Sequence, residues 1–270
     1  MIGAWLLFMS CAGTKSQQVV PQKEYIQTET DSAVPQETVG ISSVEKLGFI
    51  NLQEEFSELE APLFFRLRRL EVAPGGSVAV HEHDQRPGVA YILSGSITEY
   101  RQGKEHIRNA GDHAFEYTGI RHGWKNHSDK PVLALVADVV QPEKTPELAV
   151  LPEQKPFVDA PSSSQELSIS KNSTSPLEGE GGVFSNKSLR IRVVSIAPSG
   201  MVGSHTHESR PGFAYVLSGS VLEHRGDSDY QHQSGAAIAE RNGLSHWWVN
   251  TGTEDARLVV FDIITNPKED

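Results

Sequence analysis

The sequence predicts an all-β protein made of two tandem barrels, and three observations predict it. The chain spells nearly the same segment twice, "HEHDQRPGVAYILSG" from His81 to Gly95 and "HTHESRPGFAYVLSG" from His205 to Gly219. Its periodic stretches are short, β-rich and broken by Pro and Gly, which is the pattern of sandwiches and barrels. Between the copies runs "VLPEQKPFVDAPSSSQELSISKNSTSPLEGEGG", whose Pro, Ser and Gly content marks a connection between domains. The offset is constant: Gly111/Gly235, His122/His246, Asn126/Asn250 and Asp138/Asp262 are all separated by the same 124 residues as His81/His205. Two copies, each long enough to be a domain, indicate duplication rather than a solenoid.

In chain order, the first element is the apolar run "MIGAWLLFMS", followed by Cys11. A spanning helix needs about 20 apolar residues, so this run suits the hydrophobic part of an export signal instead. An apolar run, a small residue and then Cys, here Leu7-Phe8-Met9-Ser10-Cys11, resembles the lipobox of bacterial lipoproteins. That resemblance implies that residues 1–10 are a signal peptide, that Cys11 is acylated, and that the protein sits at the cell envelope, in the periplasm or on the outer surface. The alternative is an ordinary N-terminal tail on a cytoplasmic protein. Residues 11–40 are rich in Gln, Thr, Ser and Glu without sustained period, and read as a flexible tether.

Residues 41–146 form the first barrel domain, 147–184 the linker with a leading strand, and 185–266 the second barrel. "FFRLRRLEVAPGG" and "SLRIRVVSIAPSG" alternate and then break at Pro-x-Gly. "VAYILSGSITEYR" and "FAYVLSGSVLEHR" are β-rich, while "VLALVADVV" and "ARLVVFDII" are apolar enough for buried closing strands. Helical spacing is confined to Leu52–Leu59.

Composition removes several functions. With 24 basic against 35 acidic residues the net charge is −11, and no basic run appears. A phosphate backbone needs clustered Lys and Arg, so nucleic acid is excluded as a partner. Cys11 is the single cysteine, which rules out an intrachain disulfide. Any membrane association would come through the lipid anchor, and the sequence carries no signal for an oligomeric state.

The chemistry lies in the histidines. His81 and His83 are two residues apart on a predicted strand and share one face, as do His205 and His207. His122 and His246 supply a third imidazole to each copy. Three converging imidazoles suit a divalent transition metal (Fe, Mn, Zn, Cu or Ni), and the sequence does not choose among them. His106, His113, His127, His224 and His232 have no histidine counterpart in the other copy and read as surface residues.

These residues resemble the cupin family. Its first motif holds a Gly, a His-x-His pair, a Glu and a closing Gly. Its second runs Gly, five residues, Pro-x-Gly, two residues, His, three residues, Asn. Gly111, Gly119, His122 and Asn126 keep the second spacing, as do Gly235, Gly243, His246 and Asn250, with Tyr117 and Arg241 in place of the proline. The resemblance implies two jelly-roll barrels, a bicupin, with metal ligands His81, His83, His122, His205, His207 and His246.

One departure recurs in both copies. Where the family carries its Glu ligand, this chain has Gly88 and Gly212. Three readings follow: a three-histidine metal site with open positions, as in the family's thiol and diketone dioxygenases; a carboxylate from another strand, Glu116 or Glu240; or no metal, with histidines lining a ligand cavity. Arg86 and Arg210 either clamp an anionic substrate or pair with a structural carboxylate. Trp124 and Trp248 share strand parity with His122 and His246 and face the same cavity. The function expected is oxygen-dependent oxidation of a small organic substrate by a metal-binding bicupin of dioxygenase type. The alternative is a non-catalytic envelope cupin that binds a small molecule or metal.

Overall fold

The computed structural model describes residues 34–59, 62–148, 157, 159–177 and 184–267. The apolar run, Cys11 and most of the tether lie outside the described residues. In the first copy the strands are β1 (Val39–Asn51), β2 (Phe64–Glu82), β3 (Gly88–Ser94), β4 (Ser96–Arg101), β5 (Lys104–Asn109), β6 (His113–Glu116), β7 (Arg121–Lys125) and β8 (Val132–Val140). The second repeats them as β9 (Gln165–Pro176), β10 (Lys187–Thr206), β11 (Gly212–Ser218), β12 (Ser220–Arg225), β13 (Ser228–Gln233), β14 (Ala237–Glu240), β15 (Ser245–Val249) and β16 (Ala256–Thr265).

Each copy is one curled eight-stranded sheet. The order is β5-β4-β7-β2-β8-β3-β6 with β1 on β2, and β13-β12-β15-β10-β16-β11-β14 with β9 on β10. The Pro-x-Gly sequences do not end their strands as the sequence suggests. They turn a corner within one long strand. Residues Phe64 to Val72 of β2 pair with β8, and Ser77 to Glu82 pair with β7. Gly75 takes φ 68 at that corner and Ser199 takes φ 64 at its counterpart.

The Asn of the second motif holds the corner. Asn126 Nδ2 donates to the carbonyls of Val72 and Ala73 at 3.1 Å and of Lys130 at 2.8 Å. Asn250 Nδ2 donates to the carbonyls of Ile196 and Glu254, both at 2.8 Å. Both asparagines are fully buried, so losing these bonds would leave several polar groups without partners. Pro and Gly bend the strand, and a buried amide fixes the bend.

The connections contribute two further elements. The helix is one turn, α1 (Leu52–Glu55), because Asn51 Oδ1 caps Gln53 N at 3.1 Å and Phe56 already has extended backbone. The segment between the copies supplies β9, which pairs with β10 from Ser188↔Pro176 to Met201↔Gln165.

The inner faces of the sheets form separate apolar clusters, around Trp124 and Val136 in one barrel and Trp248 and Val260 in the other. The outer faces join. Phe65, Leu135 and Val139 share one core with Phe213, Phe261 and Ile263. The Phe65 and Phe213 rings lie 5.3 Å apart, and Gly48 lets Phe213 approach, since a Cβ there would sit 2.7 Å from its ring. Replacing Phe213 by Ala should therefore cost about 3–5 kcal/mol and weaken both barrels together. Urea unfolding followed separately by Trp fluorescence and circular dichroism checks this. Loss confined to one of two resolved transitions would contradict the shared core.

Candidate metal centres

The corner in β2 and β10 brings the His-x-His segment against β7 and β15. His81 pairs directly with His122 across the sheet, and His205 with His246. His83 and His207 lie one residue beyond their strands, in tight turns where Arg86 N donates to His83 O at 3.3 Å and Arg210 N to His207 O at 3.3 Å.

Within each triad the Nε2 atoms converge. His83 Nε2 lies 3.0 Å from that of His81 and 2.9 Å from that of His122. In the second copy His246 Nε2 lies 2.9 Å from that of His207 and 3.1 Å from that of His205. These contacts are not hydrogen bonds, because the other ring nitrogens fix the tautomers. His81 Nδ1 donates to Ala79 O at 2.8 Å, His83 Nδ1 to Arg86 O at 3.1 Å and His122 Nδ1 to Glu99 Oε1 at 2.9 Å. His205 and His207 donate likewise to the carbonyls of Gly203 and Arg210; His246 Nδ1 lies against both Glu223 Oε1 and, at 2.9 Å, Trp248 Nε1, and the ionised carboxylate takes its proton. A neutral imidazole with its proton on Nδ1 has a bare lone pair on Nε2. Three such lone pairs facing one another repel unless a cation lies between them.

The spacing fits one. Nitrogens about 2.1 Å from a centre and at right angles to one another lie ~3.0 Å apart, against ~3.4 Å for a tetrahedral set. Burial supports the neutral form. It pulls His83 down to about 3 and His205 to about 4, with His81 also lowered and His207 at about 2. The described residues thus contain two three-histidine clusters able to hold a divalent transition metal.

Behind each third histidine stands a buried carboxylate. Burial alone would raise Glu99, but bonds from His122 and Arg108 and the charge of Arg101 outweigh it and hold the group at about 2. Arg108 Nη2 reaches Glu99 at 2.6 Å. Glu223 is likewise held far below the usual carboxylate range, by His232, His246 and Arg225 against the opposing effect of burial. His232 Nε2 lies 2.7 Å from Glu223, so it is not a free surface residue. Position 232 matches Arg108 in the repeat, and Glu223 matches Glu99. Those paired positions were the available signal, hidden because the cation changes from Arg to His. His224 is not bare either: it stacks on Trp247 at 3.8 Å. His127 meets the Tyr100 hydroxyl at 3.0 Å, and His113 lies 3.4 Å from Lys171 Nζ.

Glu116 and Glu240 reach the triads from the neighbouring strand. Gly88 pairs with Glu116 across β3–β6, and Gly212 with Glu240 across β11–β14. A Cβ at Gly88 would meet Ala137 O and Asp138 Cβ at 3.0 Å and Glu116 Oε2 at 3.3 Å. Glycine there leaves room for the partner's carboxyl, which lies 3.6 Å from His83 Nε2 and 3.7 Å from His122 Nε2. Glu240 Oε1 lies 3.9 Å from His246 Nε2. Each carboxyl sits beside its triad, farther from the imidazoles than they are from one another.

The remaining sequence candidates divide. Arg210 Nη1 reaches Asp262 at 3.4 Å and its Nη2 reaches Thr206 O at 3.3 Å. Asp262 also holds Arg190 at 2.6 Å and Arg192 at 3.1 Å. In the first copy, among the described residues, Arg66 at 2.7 Å and Arg68 at 3.0 Å are the side chains paired with Asp138. Arg86 orients His83 through its carbonyl, and its charge acts on Glu116 and Arg68. Trp124 and Trp248 are buried edge-on to His122 and His246, with ring centres 5.3 Å and 5.4 Å away. Each lines a cavity, of about 400 Å³ in the C-terminal barrel and about 140 Å³ in the N-terminal one.

Burial raises Glu116 to about 7 from an ordinary 4.5, so its folded state keeps the proton longer than its unfolded state. Its stabilising contribution to metal-free protein is full below pH 4.5 and disappears as the pH rises through about 7. In chelator-treated protein, the Tm advantage of wild type over Glu116→Gln should therefore shrink between pH 4.5 and 8. A pH-independent difference would place that carboxyl in contact with water.

The cupin domain family matches residues 68–138 and 192–262, together more than half of the chain. No curated protein matches the sequence. Among solved structures, AerE from Microcystis aeruginosa superposes with TM-score 0.53 at 13% identity, over 82% of this chain and 99% of that one. Salicylate 1,2-dioxygenase from Pseudaminobacter salicylatoxidans gives 0.54 at 10% identity, over 73% and 70%. Oxalate decarboxylase from Bacillus subtilis, a protein with Mn(II) centres, gives 0.51 at 15% identity, over 90% and 81%. At such identities the likeness is one of fold. The chain belongs to the cupin domain family, with one cupin domain in each copy of the repeat.

Proposed function

We propose that this two-barrel cupin is a metal-dependent oxidoreductase of dioxygenase type acting on a small organic substrate. The observation that carries the reading is the pair of triads with three bare Nε2 lone pairs, each beside a cavity inside its barrel. His81, His83 and His122 would hold one divalent ion, and His205, His207 and His246 the other. Bound there, a redox-active ion supplies the oxygen chemistry. The neutral imidazoles leave its charge uncancelled, which favours an anionic or polarisable substrate group. Glu99 and Glu223, ionised and buried, fix the orientation of His122 and His246 and raise the basicity of the bound nitrogen. Glu116 and Glu240 are placed to take or return a proton at the carboxyl oxygen facing the triad. Trp124 and Trp248 keep water from one wall. The fold likeness to a dioxygenase and a decarboxylase supports this class without selecting the reaction.

A second reading, a cupin that binds without turnover, draws on one observation. The N-terminal cavity, at about 140 Å³, falls below the roughly 300 Å³ at which organic ligand sites begin. Substrate-dependent oxygen uptake decides between the readings. Iron- or manganese-loaded protein should consume oxygen with a subset of small thiols, diketones and carboxylic acids, and the His122→Ala/His246→Ala double variant should not. Uptake by that double variant equal to wild type would remove the triads from the reaction.

The protein is further proposed to reach the cell envelope through acylation of Cys11, its sequence there resembling a lipobox. Cys11→Ser should then shift the protein from the membrane to the soluble fraction in its native host, because several acyl chains anchor firmly where none would remain. Equal partitioning of the two forms would return the N-terminus to an ordinary tail.

A further inference from the structure

We infer that the C-terminal barrel alone takes the organic substrate, and that this substrate is a small carboxylate with an apolar body. The inference rests on the oxidoreductase reading for its chemistry, and on the shape and charge of one cavity for its ligand.

The two cavities differ first in size. About 400 Å³ beside His205 and His207 lies within the ordinary range for organic ligands, roughly 300–1,000 Å³. About 140 Å³ beside His81 holds a few waters. A leading segment runs past the mouth. In the C-terminal barrel Ser162, Ser163 and Ser164 line the cavity, held by Ser204 N donating to Pro161 O at 2.7 Å and Gly203 N to Ser164 Oγ at 3.1 Å. Gly203 is needed for that path, since a Cβ there would lie 2.7 Å from the Ser163 backbone. Its counterpart in the first copy is Ala79, and there too a leading segment is held, Ala79 N donating to Thr38 Oγ1 at 2.9 Å and Val80 N to Pro35 O at 2.8 Å.

The arginines differ as well. Three guanidinium groups, Arg190, Arg192 and Arg210, converge on the single carboxylate of Asp262, where Arg66 and Arg68 converge on Asp138. The difference is one of placement: Arg210 is drawn onto Asp262, whereas Arg86 acts on Glu116 and Arg68 without a pair to Asp138. Arg192 and Arg210 both line the larger cavity. Arg192 Nε is buried and has no hydrogen-bond partner. Arg68 Nε is buried and unpaired in the same way. Beyond the arginines the lining of the larger cavity is largely apolar, with Val194, Ile196, Trp248, Leu258 and Val260. A carboxylate held by the arginines, with an apolar body against the Trp248 wall, uses both sides and reaches the triad.

Isothermal titration of metal-loaded, full-length protein tests this with benzoate, benzyl alcohol and acetate. One benzoate should bind per chain, with benzyl alcohol and acetate each at least about tenfold weaker, the alcohol for want of a charge-assisted bond and acetate for want of a body. Arg192→Leu should lower benzoate affinity by a similar factor, while Arg68→Leu, which removes the matching bond to Asp138, should leave it unchanged. Circular dichroism checks that both variants fold, and the ligand comparison on wild type needs neither. Two benzoates per chain, equal binding of benzyl alcohol, or equal losses in the two variants would overturn the inference. The two readings fail separately. Selective benzoate binding with no oxygen uptake from any acid leaves the pocket standing and removes the oxidoreductase; oxygen uptake from a neutral substrate with no benzoate binding does the reverse.

Discussion

Six oxygens decide what this protein can bind. The carbonyls of Ala79, Arg86, Gly203 and Arg210, with the carboxylates of Glu99 and Glu223, each accept the Nδ1 proton of one triad histidine. Were any ring free to exchange its proton, neighbouring imidazoles would form hydrogen bonds to one another and close the site. With every Nδ1 engaged, each Nε2 is left bare and aimed inward. The arrangement traces back to local sequence. Arg-Pro-Gly turns present the carbonyls of Arg86 and Arg210, and the strand pairs β4–β7 and β12–β15 bring Glu99 and Glu223 beneath the third histidines. Glu99 and Glu223 can remain ionised while buried only because Arg101 and Arg108, or Arg225 and His232, surround them.

A second constraint is steric. Gly88 and Gly212 stand where the resemblance calls for a glutamate, and each faces Asp138 or Asp262 too closely for a Cβ. Those aspartates are fully buried and hold the arginine pairs that close each barrel wall. The glycine, the aspartate and the facing glutamate therefore form one unit: space yielded on β3 or β11 is filled from β6 or β14. A carboxyl group stays near the triad although its position in the sequence has moved by 28 residues.

Much of this was legible in the sequence because repetition supplied an internal alignment. The 124-residue offset separated the six triad histidines from the other five, and strand parity put His81 and His83 on one face. What stayed hidden involved pairings across the sheet. Nothing local to Glu99 or Glu223 indicates that β4 and β12 lie against the histidine strands. His232 was obscured because its partner position is Arg108, so a search for matched histidines discards it. The leading strand expected in the linker has no clear bounds in the sequence, because the exposed residues of β9, Ser168, Asn172 and Thr174 among them, have the composition of a linker. The Pro-x-Gly corner looked like a strand end because a break in alternation is the same whether the chain stops or turns.

The copies have kept the ligand set and diverged around it, and the shared core explains how both can persist. Phe65 and Phe213, with the β8 and β16 residues around them, are buried against each other, so each barrel supplies part of the apolar surface that the other needs. A barrel whose cavity has closed to about 140 Å³ still contributes that surface in full. The inner clusters around Trp124 and Trp248 do not merge with the shared core, so side chains inside one barrel can change without disturbing the join. That separation of an outer, common face from two private interiors lets one metal site keep its geometry while the space beside it is reshaped.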